Sequence, residues 1–165
     1  MAANGTQEQA IAHRGGPRRT GWAALVSAAT LVAAGLVLSG STAAQAVDPA
    51  ALCTSGHPEP GPDVPAYRNN ADGWPQPIPG EPGGRIFVFY EGVTGHNCAV
   101  VVSNGSGGAY IDVGLRRSDG TGPDWDSGGG THAGPVYVKA PGVCIDVTGA
   151  VGERSFSSSG TNCEE

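Results

Sequence analysis

Lysine is almost missing from this chain: Lys139 is the single one, and Lys plus Arg number 9 against 15 Asp plus Glu, a formal charge of −6. Such a balance repels phosphate backbones and anionic lipid, so it argues against nucleic-acid binding and lipid-surface binding. Helix-length windows are missing beyond residue 46, because 28 glycines and 13 prolines across the chain interrupt nearly all of them. No second apolar run follows the N-terminal one, and no internal repeat is apparent. The serine-hydrolase elbow G-x-S-x-G does not occur, and no two cysteines have the close C-x₂-C spacing typical of zinc sites.

What is present begins with Arg14, Arg18 and Arg19, then an apolar stretch, Trp22–Leu38, then Ala44-Gln45-Ala46. A positive region, an apolar region and a small-residue cleavage site in that order read as a secretory signal peptide over residues 1–46. The competing reading is a membrane span. Trp22–Leu38 contains Ser27, Thr30 and Gly35, however, and falls short of the roughly 20 residues that spanning requires. Arg18-Arg19 invites twin-arginine export, but Thr20-Gly21-Trp22 follows, which favours ordinary secretion. Cleavage after Ala46 leaves Val47–Glu165, more acidic than the whole chain and sized for one domain with no integral membrane anchor.

All four cysteines, Cys53, Cys98, Cys144 and Cys163, lie beyond the signal. An even count in a small exported domain reads as disulfides, since an oxidising compartment lets them persist. Three connectivities are open; sequential pairing, Cys53 with Cys98 and Cys144 with Cys163, is the expectation. Each loop would contribute about 3–4 kcal/mol, a large share of a typical total of about 5–15 kcal/mol.

Between His57 and Gly84 lie eight of the 13 prolines. Proline lacks the amide hydrogen that a sheet ladder needs, so residues 47–84 are expected as an extended arm leading into a β-rich domain over 85–165. The arm is either a spacer or a docking segment, and its Tyr67 and Trp74 either bind a partner or fold back over the core. From Gly84 onward, short β-prone runs alternate with Gly, Asn and Asp. Arg85–Tyr90 is apolar on both faces, which suits a central strand, and Cys98–Val102 continues in that style. Tyr110–Arg117 alternates, with Ile111, Val113 and Leu115 on one face and Asp112, Gly114 and Arg116 on the other. Val136–Ala140 and Val143–Val147 alternate too, and Pro141-Gly142 between them reads as a hairpin turn. The fold class is therefore all-β: a small antiparallel sandwich or partly closed barrel, disulfide-stabilised, with a proline-rich N-terminal arm.

Candidate chemistry is sparse. Asp112, Asp119, Asp124, Asp126 and Asp146 contain enough carboxylates for glycoside hydrolysis, although solvated turn and strand carboxylates account for them as well. Asp124–Gly129 faintly resembles a calcium loop, but the distal glutamate is missing. His57-Pro58-Glu59 and His132 are isolated. Asn104-Gly105-Ser106 fits the glycosylation sequon within a turn. No catalytic, cofactor-binding or metal-ligating residue is assigned, and no cofactor is implied.

The runs Arg85–Tyr90, Gly95–Val100, Leu115–Asp119, Ala133–Val138 and Gly142–Asp146, closed by Asn162-Cys163, resemble the spore-associated protein A family of filamentous actinobacteria. After Cys53 the pattern departs, because this chain enters its proline-rich stretch. The resemblance implies a small secreted protein found with spores or aerial growth, with no enzymatic residues to carry over. The leading expectation is a non-enzymatic extracellular or spore-surface protein whose partner is the spore or cell-wall surface. The alternative is a carbohydrate- or cell-wall-binding module with Trp74, Trp125 and Tyr137 as ligand contacts. A small secreted hydrolase using Asp112 or Asp124 has the least support.

Overall fold

The computed structural model describes residues 46–163. The signal peptide expected over 1–46 lies, apart from Ala46, outside the described residues. Helix α1 (Pro49–Ser55) is followed by strands β1 (Gln76–Ile78), β2 (Gly84–Glu91), β3 (His96–Ser103), β4 (Tyr110–Arg117), β5 (Asp124–Gly129), β6 (His132–Lys139), β7 (Ile145–Val151) and β8 (Arg154–Thr161). They form two four-stranded sheets, ordered β1-β2-β3-β6 and β5-β4-β7-β8, with every pairing antiparallel.

Period-2 alternation decides which side chains meet between the sheets. Ile86, Val88, Ala99, Val101, Val136 and Val138 come from the first sheet, and Ile111, Val113, Leu115, Ile145, Val147 and Val151 from the second; all are buried in one cluster. The sheets approach closely at Gly149, where a Cβ would lie 2.6 Å from Val101 Cγ2 and 2.9 Å from Ile86 Cδ1. Only glycine fits there.

The first sheet is apolar on its outer face as well, so that face needs a cover. Phe89, Cys98 and Val100 are buried there beneath Cys53 of α1 and Tyr67. The stretch expected as an arm supplies this cover. Within it, residues 56–75 hold no helix or strand beyond a single bridge, Asn70 to Phe89. Tyr67 N donates to Thr54 Oγ1 (3.0 Å), Tyr67 Oη to the His96 carbonyl (3.4 Å) and Ala71 N to the Val88 carbonyl (2.8 Å). Trp74 is 9% exposed and meets Phe156 edge-on at 5.9 Å. Of the two alternatives for Tyr67 and Trp74, folding back over the core is the one observed.

Three expectations are corrected. A helix is present, α1, because Asp48 caps it through its Oδ1 on the amides of Ala50 and Ala51, and Pro49 stands at the first turn where its missing N–H costs nothing. Pro77 lies inside β1, which is tolerated because β1 is an edge strand and pairs on one side only. Pro141-Gly142 does not close a hairpin: β6 and β7 belong to different sheets, so the turn carries the chain across the sandwich.

Two disulfides are present, Cys53–Cys98 and Cys144–Cys163, with no free cysteine among the described residues. The first is fully buried and pins α1 to the outer face of β3; the second ties the entry of β7 to the exit of β8 near the surface. Replacing both Cys53 and Cys98 with serine should cost about 4 kcal/mol from the longer loop, and replacing Cys144 and Cys163 about 3 kcal/mol. Urea unfolding monitored by circular dichroism reads the difference. Only the first pair should also raise the reactivity of Tyr67 towards solvent probes.

Candidate functional site

Among the described residues, nothing covers the outer face of the second sheet. Alternation along β4, β5, β7 and β8 turns Tyr110, Asp112, Gly114 and Arg116, then Trp125 and Ser127, then Asp146 and Thr148, then Ser155 and Ser157 outward. Register aligns them in rows: Trp125, Gly114, Thr148 and Ser157 lie side by side, as do Ser127, Asp112, Ala150 and Ser155. Trp125 is 73% exposed and Tyr110 55%. Aromatic side chains are normally placed to bury their large apolar area, so two on one open sheet face stand out against its serines and glycines.

Gly114 shapes this face. It occupies the row between Trp125 and Thr148, and a Cβ there would lie 2.7 Å from Thr148 Oγ1. The missing side chain leaves a hollow of about 320 Å³ beside the indole, walled by Trp125, Thr148, Ser158 and Ser159 and rimmed by Arg116 and Asp146. On the other side of Trp125 lies a second hollow of about 320 Å³, lined by Tyr110, Asp112, Ser127 and Thr148.

One rim is rigid. Arg116 donates from Nε (3.1 Å) and Nη2 (3.0 Å) to Asp146 Oδ2, while Ser118 Oγ (2.7 Å) and Gly160 N (3.0 Å) donate to Asp146 Oδ1. The Ser118 hydroxyl, the Gly160 amide and the Arg116 guanidinium together hold the Asp146 carboxyl below the usual carboxylate range. A carboxylate with this many donors is a fixed acceptor.

Asp124 and Asp126 serve the fold. Asp124 Oδ2 accepts from Tyr137 N (2.8 Å) and Asp126 Oδ2 from Gly134 N (2.7 Å), so the carboxylates of edge strand β5 satisfy amides of edge strand β6. Two sheets that share no ladder are thereby laced together along one side. Asp124–Gly129 is accordingly a strand and not the loop that a calcium site of the expected kind would need. Asp119 sits in a turn, accepting from Thr121 and Arg117.

Of the expected ligand contacts, only Trp125 is on the open face. Trp74 is buried, and Tyr137 is half-buried on the first sheet, its hydroxyl donating to the Cys53 carbonyl at 2.7 Å. Burial, helped by the Asp124 charge, pushes the Tyr137 phenol up to about 12. Tyr110 was not singled out by sequence, although the alternation of Tyr110–Arg117 already places it beside Asp112.

A second polar group lies buried under the arm. Thr94 Oγ1 donates to Glu91 Oε2 (2.6 Å) and lies 2.8 Å from His96 Nδ1 and 3.4 Å from His57 Nε2. The His57 and His96 rings meet edge-on at 5.2 Å. Burial opposes the Glu91 charge, but the Thr94 hydroxyl, the Thr94 and Val93 amides and the nearby His57 outweigh it, and the carboxyl is held below its ordinary value. Burial pushes the His96 imidazole down, with Glu59 acting in the opposite sense. With His57, Glu91 and His96 buried and Thr94 half-buried, this group anchors the start of the arm. Lys139 and Glu59 pair above it at 3.2 Å.

No family model matches the chain, and no solved structure matches it. It is similar to Spore-associated protein A of Streptomyces coelicolor, with 35% identity over 82 residues, 48% of this chain and 53% of that relative. The chain thus spans about half the length of the curated relative it matches. The resemblance read from the sequence is borne out by this relative.

Removing the lacing carboxylate in Asp124→Ala strands the Tyr137 amide and should cost about 1–3 kcal/mol. Asp112→Ala, on the open face, should stay within about 0.5 kcal/mol, and urea midpoints compare the two. Stability should also fall with acid in two stages. His96 is lowered in the folded state, so its contribution is complete above the unfolded value of about 6.5 and is lost as pH falls from there towards the folded value. The Glu91 contribution is complete above its unfolded value of about 4.3 and disappears as pH falls through the lower folded one. Urea midpoints at a series of pH values should show both stages, and His96→Gln should flatten only the first.

Proposed function

We propose that this protein works outside the cell as a non-enzymatic component of the spore or cell-wall surface, and that it attaches through the outer face of its second sheet. The observation that carries the reading is the asymmetry of the sandwich. The first sheet spends its outer face on the arm, while the second presents Trp125 and Tyr110 to solvent. The relative's name associates that protein with spores, and among the described residues of this chain no helix is long and apolar enough to cross a membrane. Association through side chains on an exposed face fits both.

The hydrolase reading loses Asp124, one of its two named carboxylates, to a structural duty and keeps only Asp112, on the open face. Asp124 and Asp126 are bonded to backbone amides, and Asp146 is held by Arg116, Ser118 and Gly160. That supports a binding role over turnover.

The test is to express the tagged full chain in a sporulating Streptomyces culture and to measure its partition between washed spores and medium. Wild type should be retained on spores, and Trp125→Ala should shift the bulk of it into the medium at equal total yield. Wild-type protein found wholly in the medium contradicts the proposal.

A further inference from the structure

We infer that the two hollows flanking Trp125 form a binding groove for an uncharged or amino-sugar glycan chain. The inference rests on the proposed attachment face and gives it a ligand chemistry. A pyranose ring has an apolar C–H face and an equatorial rim of hydroxyls. It therefore needs an exposed aromatic surface beside fixed hydrogen-bonding groups.

Each requirement is met here by a named residue. The Trp125 indole is 73% exposed, so its π-face is available for stacking. Gly114 opens the space next to it that any side chain would occupy against Thr148. Asp146, saturated by Arg116, Ser118 and Gly160, holds the Arg116 guanidinium in place at the rim, and Thr148, Ser158 and Ser159 offer hydroxyls along the wall. Each hollow, at about 320 Å³, is at the lower end of small-ligand sites, which run from about 300 to 1,000 Å³.

The groove is longer than one ring. Tyr110 and Gly114 are four residues apart on β4, a distance of about 13 Å along a strand, and both hollows share Gly114, Trp125 and Thr148. The open-ended shape suits a polymer that passes over Trp125 towards Tyr110. Charge narrows the class further. Among the described residues, Asp112 and Asp146 stand on this face against Arg116, and the chain is acidic overall at −6. Phosphate-bearing or uronate-rich polymers are therefore repelled, while neutral and amine-bearing glycans are accepted.

The test uses the exported protein, with insoluble chitin, cellulose and purified peptidoglycan for co-sedimentation and chitohexaose for fluorescence titration. Wild type should co-sediment with at least one of the three, and Trp125→Ala should weaken that retention about tenfold or more. Trp125→Phe, which keeps an aromatic face, should recover part of the loss. Circular dichroism melting should be unchanged in both variants, since the side chain lies in solvent. No retention on any glycan overturns the inference, as does retention that Trp125→Ala leaves intact or a dimer that buries Trp125. If spores still hold the protein in a Trp125-dependent way without glycan binding, the ligand class is wrong and the attachment face stands. If spore retention also fails, both are wrong.

Discussion

A β-sheet with apolar residues on both faces cannot leave one of them in water, and the first sheet of this protein is built that way. Ile86 and Val88 point into the sandwich while Phe89, with Cys98 and Val100 of the neighbouring strand, points out. Much of the remaining architecture answers that constraint. The capped helix α1 and the irregular stretch that follows it, through Tyr67, cover the outer face, and the buried Cys53–Cys98 bridge keeps the cover attached at its start. His57, Glu91, Thr94 and His96 form the polar seam beside it. Hydrophobic area drives the covering, and the bridge limits how far the cover can move away in the unfolded chain.

The second sheet follows the opposite rule. Apart from Arg116, Ala150 and the two aromatics, its outward positions are Ser, Thr, Gly and Asp, which need no cover, so Trp125 and Tyr110 are exposed without a packing reason. Asp124 and Asp126 of this sheet occupy amides of β6, the edge strand of the first sheet, which keeps those amides from pairing with other chains. One face is closed by the chain itself and the other is left for something else, and this division points to where a partner binds.

The central strands were legible because burial gives them a strong pattern: Tyr110–Arg117 matches β4 at both ends, and the doubly apolar Arg85–Tyr90 is a central strand. Of the edge strands, β6 was legible in part through Val136–Ala140, but β1, β5 and β8 were not. Asp124–Gly129 and Arg154–Thr161 are rich in Asp, Gly and Ser, residues depleted in strands, and their pairing is decided by the neighbour in the sheet more than by their own propensity. Helix α1 could have been found from Asp48-Pro49, a capping residue followed by proline at the first turn. Local alternation also could not say that β6 and β7 lie in different sheets, because a turn of Pro141-Gly142 serves a hairpin and a crossover equally well. At the site, composition pointed to three aromatics without ranking their exposure. Trp74 and Tyr137 are drawn inward by packing partners distant in sequence, Phe156 and Cys53, which leaves Trp125 outside.

Oxidative footprinting with mass spectrometry, on the disulfide-intact protein at neutral pH, tests this division of faces directly. Trp125 and Tyr110 should be modified rapidly, while Tyr67 and Phe89 stay protected until the Cys53–Cys98 bridge is reduced and the cover loosens. Modification of Tyr67 and Phe89 as fast as Trp125 in the intact protein would contradict the account, because the first sheet would then have no cover.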